Sequence, residues 1–422
     1  MVACVLLTLD VLVPEVFGQG KTKDYSLWYW AGQQILNGGD LYPKNVSDYF
    51  EFIYPPPAAI LLALPSLFGP IPLYIFLCVV NAAAWWITSH LSNDMTGSGR
   101  EPSPWIAAVP SFAMLTSIFD MFDLGQPNLL LLAMMLCGFW LMLKGRGWSA
   151  GALFALATAI KAFPVAVLPY LLWRRKWIPA ASMAAFLVAF LIVLPAPIRG
   201  FDRNISELTN WYRGMVGSSS EQGFGQRPEQ NWSWVNQSVI AITHRLVRPI
   251  NYNQEDPNDP VEMMNIIDVD YKTANVIVAV VCGVIGLGFL WLMPPLARTT
   301  ARSNAEEIAI LFCLMTIASP LARQYYFIWL FFPVTVLVHR AAYDPRKGAR
   351  LLSCGALALA AALMLLSLPF FPHLFQALGN NFAATMIIAA TLGWHLRHPL
   401  DATLVTPERT MNVPELTQPA QA

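Results

Sequence analysis

The chain has 422 residues, of which 56% are hydrophobic and only 12% charged, and its formal net charge is zero. An ordinary soluble domain carries roughly twice that share of charged residues. The composition therefore excludes such a domain, and the balanced charge argues against a nucleic-acid partner. The six cysteines stand singly in apolar segments, without the spacing of a disulfide framework or a zinc site.

The first apolar stretch runs from Met1 to Phe17 and is at the short limit for a membrane helix. It carries Asp10 and Glu15 and has no basic flank. The missing basic region and cleavage site argue against a secretory signal peptide. We expect a first membrane helix, and its shortness suggests a chain whose start is assigned too late.

Clearer membrane spans follow along the chain. They are predicted at 71–91, 104–119, 125–143, 177–195, 272–294, 305–318, 324–339, 351–369 and 382–396. The stretches Leu27–Leu36 and Pro55–Phe68 are too short to cross comfortably, so we expect them to lie along the membrane surface. The fold class predicted is an all-α polytopic membrane protein with about 12 transmembrane helices, within a range of about 10 to 13.

The basic residues orient these spans, because short cytoplasmic loops carry an excess of lysine and arginine. The clusters are Lys144/Arg146, Arg174–Lys176, Arg298/Arg302, His339/Arg340 with Arg346/Lys347, and Arg397. Trp148–Trp173 has such clusters at both ends, which a hairpin broken at 162–164 satisfies, with Lys161 near its outer apex. The alternative lets 55–69 span and makes 148–173 one helix. We favour the hairpin, since a lysine at mid-bilayer costs several kcal/mol.

This orientation predicts one transmembrane domain over residues 1–400, with outer loops at 18–70 and 197–271. The second loop holds Trp211, Trp232 and Trp234, which could stack on acceptor sugars or form an interfacial aromatic belt. We favour the belt slightly. The polar tail 401–422 is expected to be cytoplasmic and disordered.

Polar residues converge on the predicted outer face from four parts of the chain. They are Asp24 with 37–42 and 54–56, Gly125–Asn128, Lys161, and Ser319–Tyr326 joined by Asn236–Ser238. Asp24 is the candidate general base, because a carboxylate at the membrane boundary can act on a substrate held in the lipid. A solvated loop residue or helix cap is the alternative.

The motifs resemble a known family when they are taken in order. An Asp followed by aromatics is succeeded by Gly-Gly-Asp-Leu-Tyr at 38–42, Tyr-Pro-Pro at 54–56 and Gly-Gln-x-Asn at 125–128. Ala-Ile-Lys-x-x-Pro at 159–164, Asn-Gln-Ser at 236–238 and Ser-Pro-Leu at 319–321 complete the set. The order is similar to glycosyltransferase family 87 (DUF2029-type proteins) over about residues 1–400.

The resemblance implies a GT-C membrane fold and a mannosyltransferase-like activity that uses a polyprenyl-phosphate sugar. It also implies a catalytic Asp at position 24. Many members read Ser-Pro-x-x-Trp-Asp-His where this chain has Arg323, Gln324 and Tyr325. That departure puts the sugar, the acceptor and the second polar role in doubt.

The chemistry of such a transfer agrees with these residues. A base must take the acceptor proton, and a cation must stabilise the departing phosphate. Arg323 and then Lys161 are the candidates for the phosphate, although Arg323 could instead bind free carbonyls and Lys161 could reach the interface. Candidate substrate-binding residues are Asp40, Tyr42, Tyr54, Gln126, Asn128, Gln237, Gln324 and Tyr325. A turn role for Asp40 and a helix-start role for Gln126 and Asn128 are favoured over substrate contact.

We therefore expect an inverting glycosyltransferase in a bacterial plasma membrane, with its active site on the outer face. Its expected partners are the bilayer, the polyprenyl-phosphate sugar and a hydroxyl-bearing glycolipid, glycan or protein. No cofactor or metal is expected, since the histidines are scattered. The alternatives are a transporter or flippase of lipid-linked sugars, a glycan ligase or polymerase using lipid-diphosphate donors, and a structural subunit.

Overall fold

The computed structural model describes residues 2–16, 23–43, 50–217, 219–220, 223–224, 231–255 and 258–400. The predicted tail at 401–422 lies outside them. The described chain is helical apart from an antiparallel pair of two-residue strands, β1 Ser219–Ser220 and β2 Gly223–Phe224. The helices are α1 Val2–Val16, α2 Asp24–Leu36, α3 Pro56–Ser66, α4 Pro70–Asp94, α5 Pro104–Ala113, α6 Leu115–Leu124, α7 Asn128–Leu143, α8 Gly147–Ile160, α9 Val167–Trp173, α10 Trp177–Val188, α11 Ala196–Arg199, α12 Phe201–Met215, α13 Val239–Val247, α14 Tyr271–Leu292, α15 Ala301–Ala318, α16 Phe331–Tyr343, α17 Lys347–Leu365, α18 His373–Ala377 and α19 Asn380–Arg397.

Among the described residues, five helical segments are long and apolar enough to cross a membrane, judged by length and composition alone. They are Pro70–Asp94, Trp177–Arg199, Tyr271–Leu292, Gln324–Tyr343 and Lys347–Leu365. The all-helical membrane architecture is thus confirmed.

The predicted span over 104–119 is bent. α5 and α6 meet at an angle of 57°. The bend lies at Met114, whose N–H still donates to the Pro110 carbonyl (3.0 Å), whereas the hydrogen bond that Pro110 removes lies one turn earlier, inside α5. The pair is one broken span or a re-entrant loop.

The chain breaks at Lys161, whose extended backbone ends α8 (φ −149°, ψ 122°). α8 and α10 run parallel. Their first turns are in contact: Ser182 Oγ donates to the Trp148 carbonyl (2.7 Å), and Gly147 lies against Pro179. Both helices therefore start at the same level. The segment between them must return across the bundle through the 3₁₀ turn Phe163–Ala166 and α9, so 148–173 is not one helix.

The segment Gln324–Tyr343 forms the centre of the bundle, and 83% of its most apolar window is buried by protein. It begins as a 3₁₀ helix, Gln324–Leu330, and continues as α16. Trp329 packs edge-on against Phe163 and Phe312 (ring centroids 4.8 and 5.4 Å). The buried central segment therefore begins at Gln324, about one helical turn after the Ser-Pro-Leu motif at 319–321.

Ion pairs connect several of the basic clusters at one end of the helices. Arg174 pairs with Glu307 of α15, and Arg340 of α16 pairs with Glu306 (2.7 Å). Arg302 pairs with Asp344 beyond α16. These three clusters lie together, which agrees with the predicted common side, and the motif residues lie toward the other ends of the same helices.

Candidate active site

Asp24 is the first residue of α2, and the aromatic residues after it fix its position. Tyr25 Oη donates to the Phe122 carbonyl (2.6 Å), and Trp28 Nε1 donates to the Gly125 carbonyl (2.7 Å). Gly125 has φ 71°, and a Cβ there would lie 2.9 Å from the Tyr25 ring. Only glycine fits this conformation and this close approach without strain. The start of α2 is thereby held against the turn between α6 and α7.

Gln126 connects the candidate base to the candidate cation. Its Nε2 donates to Asp24 Oδ2, and its Oε1 accepts from Tyr54 Oη (3.2 Å) and Lys161 Nζ (3.3 Å). The side chain is only 4% exposed. The role favoured from the sequence for Gln126 was to hydrogen-bond free backbone groups at the start of a helix. In the structure its side-chain amide lies between the charged groups of Asp24 and Lys161, which come from distant segments.

Lys161 lies in the break after α8, outside the candidate spans. Its Nζ donates to Asn128 Oδ1 (3.0 Å) and lies 4.4 Å from the ring centroid of Tyr326 and 5.4 Å from that of Tyr325. Burial lowers the pKa of this ammonium to about 7, against the opposing effect of the Asp24 charge. Asn128 Nδ2 is buried and has no hydrogen-bond partner among the described residues.

A second polar cluster joins the long outer loop to the Ser-Pro-Leu motif. Gln237 donates its backbone N–H to the Ala322 carbonyl (2.9 Å), and its Oε1 accepts from the Asn381 backbone N–H (2.8 Å). Gln324 Oε1 accepts from Asn381 Nδ2 (2.6 Å). Arg323 faces the loop instead, with a nitrogen 3.9 Å from Glu255. This second cluster is next to the cluster around Lys161, because Gln324 contacts Asn381 while the following residues, Tyr325 and Tyr326, contact Lys161.

Asp40 and Tyr42 do not join these clusters. Asp40 pairs with Arg203 (2.6 Å) beyond the far end of α2, and the 13 residues of this helix span about 20 Å. Asp40 therefore lies about a helix length from Asp24, and the structure does not bring these two carboxylates together. Tyr42 is buried and donates its hydroxyl to the Tyr54 carbonyl, so it supports the loop that carries Tyr54.

The tryptophans of the outer loop contact other parts of the protein. Trp232 is 4% exposed and packs on His244 (4.4 Å), and Trp234 stacks on His373 (4.0 Å). Trp211 Nε1 donates to the Ile53 carbonyl (3.0 Å). A purely interfacial aromatic belt is therefore wrong for Trp232, whose ring is enclosed by protein.

Two residues of the site are missing from the sequence prediction: Asn381 connects Gln237 with Gln324, and Asn81 Nδ2 donates to the Gln126 carbonyl (3.5 Å). Tyr326, which the sequence placed in the polar stretch 319–326 but not among the substrate-binding candidates, offers the closest ring to Lys161. Asn81 and Asn381 are amides within apolar helices, a signal that could have indicated them. The ring face of Tyr326 has no such signal.

A cavity of about 360 Å³ lies beside Gln126 and is almost wholly apolar. Its walls include Leu62 of α3, Leu77 of α4, Leu130 of α7 and Ile160 of α8. Leu61 and Phe76, on its edge, are 51% and 46% exposed. The cavity therefore extends from the exposed apolar surface of α3 and α4 to the polar cluster. In the described part of the chain, no three His, Cys, Asp or Glu side chains are grouped to hold a metal ion.

Residues 52–320, more than half of the chain, match the profile of glycosyltransferase family 87. The chain belongs to this family. The ordered motifs predicted this family. Tyr54, Gln126, Asn128, Lys161 and Gln237 lie within the matched range, whereas Asp24 and the residues 323–326 lie outside it.

A curated relative supports the same class. The chain is 25% identical over 252 residues to the polyprenol-phosphate-mannose-dependent alpha-(1-2)-phosphatidylinositol mannoside mannosyltransferase of Mycolicibacterium smegmatis (strain ATCC 700084 / mc(2)155). The match covers 52% of this chain and 57% of the relative. The chain thus spans a little over half the length of the curated relative that it matches.

Proposed function

We propose that this family 87 glycosyltransferase moves one mannose from a polyprenyl-phosphate carrier to a hydroxyl of a glycolipid, glycan or protein, with inversion and with Asp24 as general base. The observation that carries the proposal is the contact of Asp24, Gln126 and Lys161 beside a lipid-facing apolar cavity. Mannose is proposed from the donor named for the relative. The family membership supports the reaction class.

The donor enters the site from the lipid. Its polyprenyl chain lies in the apolar cavity between α3, α4, α7 and α8, where burial of each CH₂ contributes about 0.8 kcal/mol. The cavity reaches Gln126 and Asn81, so the phosphate at the end of the chain arrives at the polar cluster. This agrees with a substrate whose tail stays in the membrane.

Lys161 is the better placed of the two phosphate candidates. Its Nζ and the free Asn128 Nδ2 provide adjacent donors next to the cavity. The Arg323 guanidinium, ranked first from the sequence, faces Glu255 of the outer loop. We therefore assign the phosphate to Lys161 and Asn128, with Arg323 on the acceptor side, together with Gln237, Gln324 and Tyr325.

Transfer then proceeds by direct displacement. An acceptor hydroxyl attacks the anomeric carbon while Asp24 takes its proton, and the bond from that carbon to the phosphate oxygen breaks. The negative charge that develops on the phosphate is stabilised by the Lys161 ammonium. A single displacement inverts the anomeric configuration.

The proposed architecture is a GT-C-like bundle of about 12 transmembrane helices. The basic end faces the cytoplasm, and Asp24 lies at the outer face of a bacterial plasma membrane. Cysteine labelling in inverted and right-side-out vesicles tests this orientation, with single cysteines at Ser26 and at Lys347 in a cysteine-free variant. Labelling of both positions from the same side contradicts it.

The function is tested with purified protein and a panel of polyprenyl-phosphate sugars, by following sugar transfer to dodecyl glycosides or release to water. Turnover of the mannose donor and its loss in Asp24→Asn are expected. Leu130→Trp, which fills the apolar cavity, should raise the donor KM, and Leu351→Trp on the exposed face of α17 is the control. Absence of turnover with every donor would refute the proposal.

A further inference from the structure

A second cavity, of about 380 Å³, lies between two loops at the same end of the bundle as the motif residues. Tyr252, Asn253 and Glu262 line it from the outer loop, and Phe371–Leu374 line it from the segment before α18. Tyr252 Oη donates to Glu262 Oε2 (2.6 Å), and the His373 ring is backed by the stacked ring of Trp234. The walls thus combine hydroxyl, amide and carboxylate groups with ring faces.

Exposed apolar side chains surround this polar cavity. Val261 and Met263 flank Glu262 and are 71% and 54% exposed, and Phe370 is 75% exposed. The two loops adjoin the start of α14 and the end of α17, which are both candidate membrane spans. Large apolar side chains at that level face the lipid boundary, where an amphiphilic ligand would place its tail.

The outer loop connects the cavity to the candidate active site. Asn253 and Glu255 are two residues apart, so their Cα atoms are separated by at most about 7 Å. Glu255 contacts Arg323, and Tyr325, two residues further on, faces Lys161 (5.4 Å). The second cavity therefore lies on the Arg323 side of the site, whereas the apolar cavity lies beside Gln126.

We propose that this second cavity binds the sugar headgroup of a glycolipid acceptor, while the lipid chain rests on the apolar rim. The inference rests on the proposed function and names the acceptor class and its site. Carboxylate and amide groups bind sugar hydroxyls, and ring faces pack on the apolar faces of sugars. The Glu262 carboxylate disfavours an anionic headgroup, so a neutral sugar fits better than a phosphate.

Binding is measured first without any donor. Protein in phosphatidylcholine nanodiscs is titrated with dodecyl glycosides of mannose, glucose and galactose and with methyl mannoside, by tryptophan fluorescence. We expect at least one dodecyl glycoside to bind, with methyl mannoside about tenfold weaker. Glu262→Ala and Asn253→Ala should each weaken the dodecyl glycoside about tenfold. Asp268→Ala, an exposed carboxylate in the same loop outside the cavity, should stay within about twofold of wild type.

A second experiment measures sugar transfer from the polyprenyl-phosphate donor to the dodecyl glycoside, provided that the wild-type protein catalyses it. Glu262→Ala should raise the KM of the dodecyl glycoside and leave the KM of the donor unchanged. A melting temperature within a few degrees of wild type shows that the variants fold, and Tyr252→Phe is the milder substitute. Failure of every dodecyl glycoside to bind, or equal binding by wild type, Glu262→Ala and Asn253→Ala, would overturn the inference. Loss of turnover with intact cavity-dependent binding would count against the proposed function alone.

Discussion

Gln126 holds Asp24 and Lys161 on opposite ends of one amide, donating to the carboxylate through Nε2 and accepting from the ammonium through Oε1 (3.3 Å). A neutral amide can donate at one end and accept at the other. The arrangement keeps the two charges close together. Each can then act on a different atom of the substrate.

Asp24→Asn should lower the rate of transfer by about 10²–10⁴-fold, because the amide cannot accept the acceptor proton. The measurement is mannose transfer from polyprenyl-phosphate mannose at saturating donor. Asp40→Asn is the matched control, since Asp40 lies beyond the far end of α2 and is 62% exposed at its side chain. Equal losses in the two variants would contradict the assignment.

Gln126→Glu should move the acid limb of the pH profile to higher pH. A second carboxylate beside Asp24 disfavours the charged form of Asp24, which raises its pKa. Activity is lost on the acid side as Asp24 becomes protonated, so the variant should be impaired more at pH 6 than at pH 8. Gln126→Met removes both hydrogen bonds without adding charge and separates the two effects. An acid limb at the wild-type position would argue against the bridging role.

Lys161 should produce an alkaline limb near pH 7 in kcat/KM for the donor. Burial lowers its pKa to about 7, so the free enzyme loses the ammonium as the pH rises through that value. The donor phosphate would restore the charge, so kcat should depend less on pH than kcat/KM does. Lys161→Arg, whose guanidinium stays charged as the pH rises, should remove the limb even if its overall rate is lower. Identical alkaline limbs in wild type and Lys161→Arg would remove Lys161 from the phosphate site.

Gly125→Ala should reduce both stability and activity. The substitution forces an L-residue to φ 71° and places its Cβ 2.9 Å from the Tyr25 ring, which would displace the start of α2. A cost of about 1–3 kcal/mol follows from the backbone alone. Gly145→Ala is the control, because Gly145 has φ 77° but nothing within 4 Å of its Cβ position. Thermal unfolding in nanodiscs should show the larger loss for Gly125→Ala, and equal losses would show that the Tyr25 contact is unimportant.

Several features of the fold could be predicted because they depend on local composition. Apolar segments of membrane length and clusters such as Arg174–Lys176 indicate helices and their ends without reference to the rest of the chain. The break at Lys161 was predictable for the same reason. The bend between α5 and α6 was missed, because an apolar run alone does not show a change of direction.

The candidate site could be predicted only as a set of motifs. Their order pointed to Asp24, Gln126, Asn128 and Lys161, but nothing in it separated these from Asp40 and Tyr42. That separation depends on the length of α2, which carries Asp40 away to Arg203. It also depends on the pairing of Arg323 with Glu255.

Hydropathy and short motifs are properties of consecutive residues, so they were enough to predict an all-helical protein of glycosyltransferase family 87. Only the tertiary structure decided which polar residues meet. Asp24 and Gln126 are 102 positions apart, and Ser117 binds the Gln324 carbonyl across 207 positions. Such contacts depend on how helices pack, and packing is set by side-chain shape over the whole bundle rather than by any local pattern.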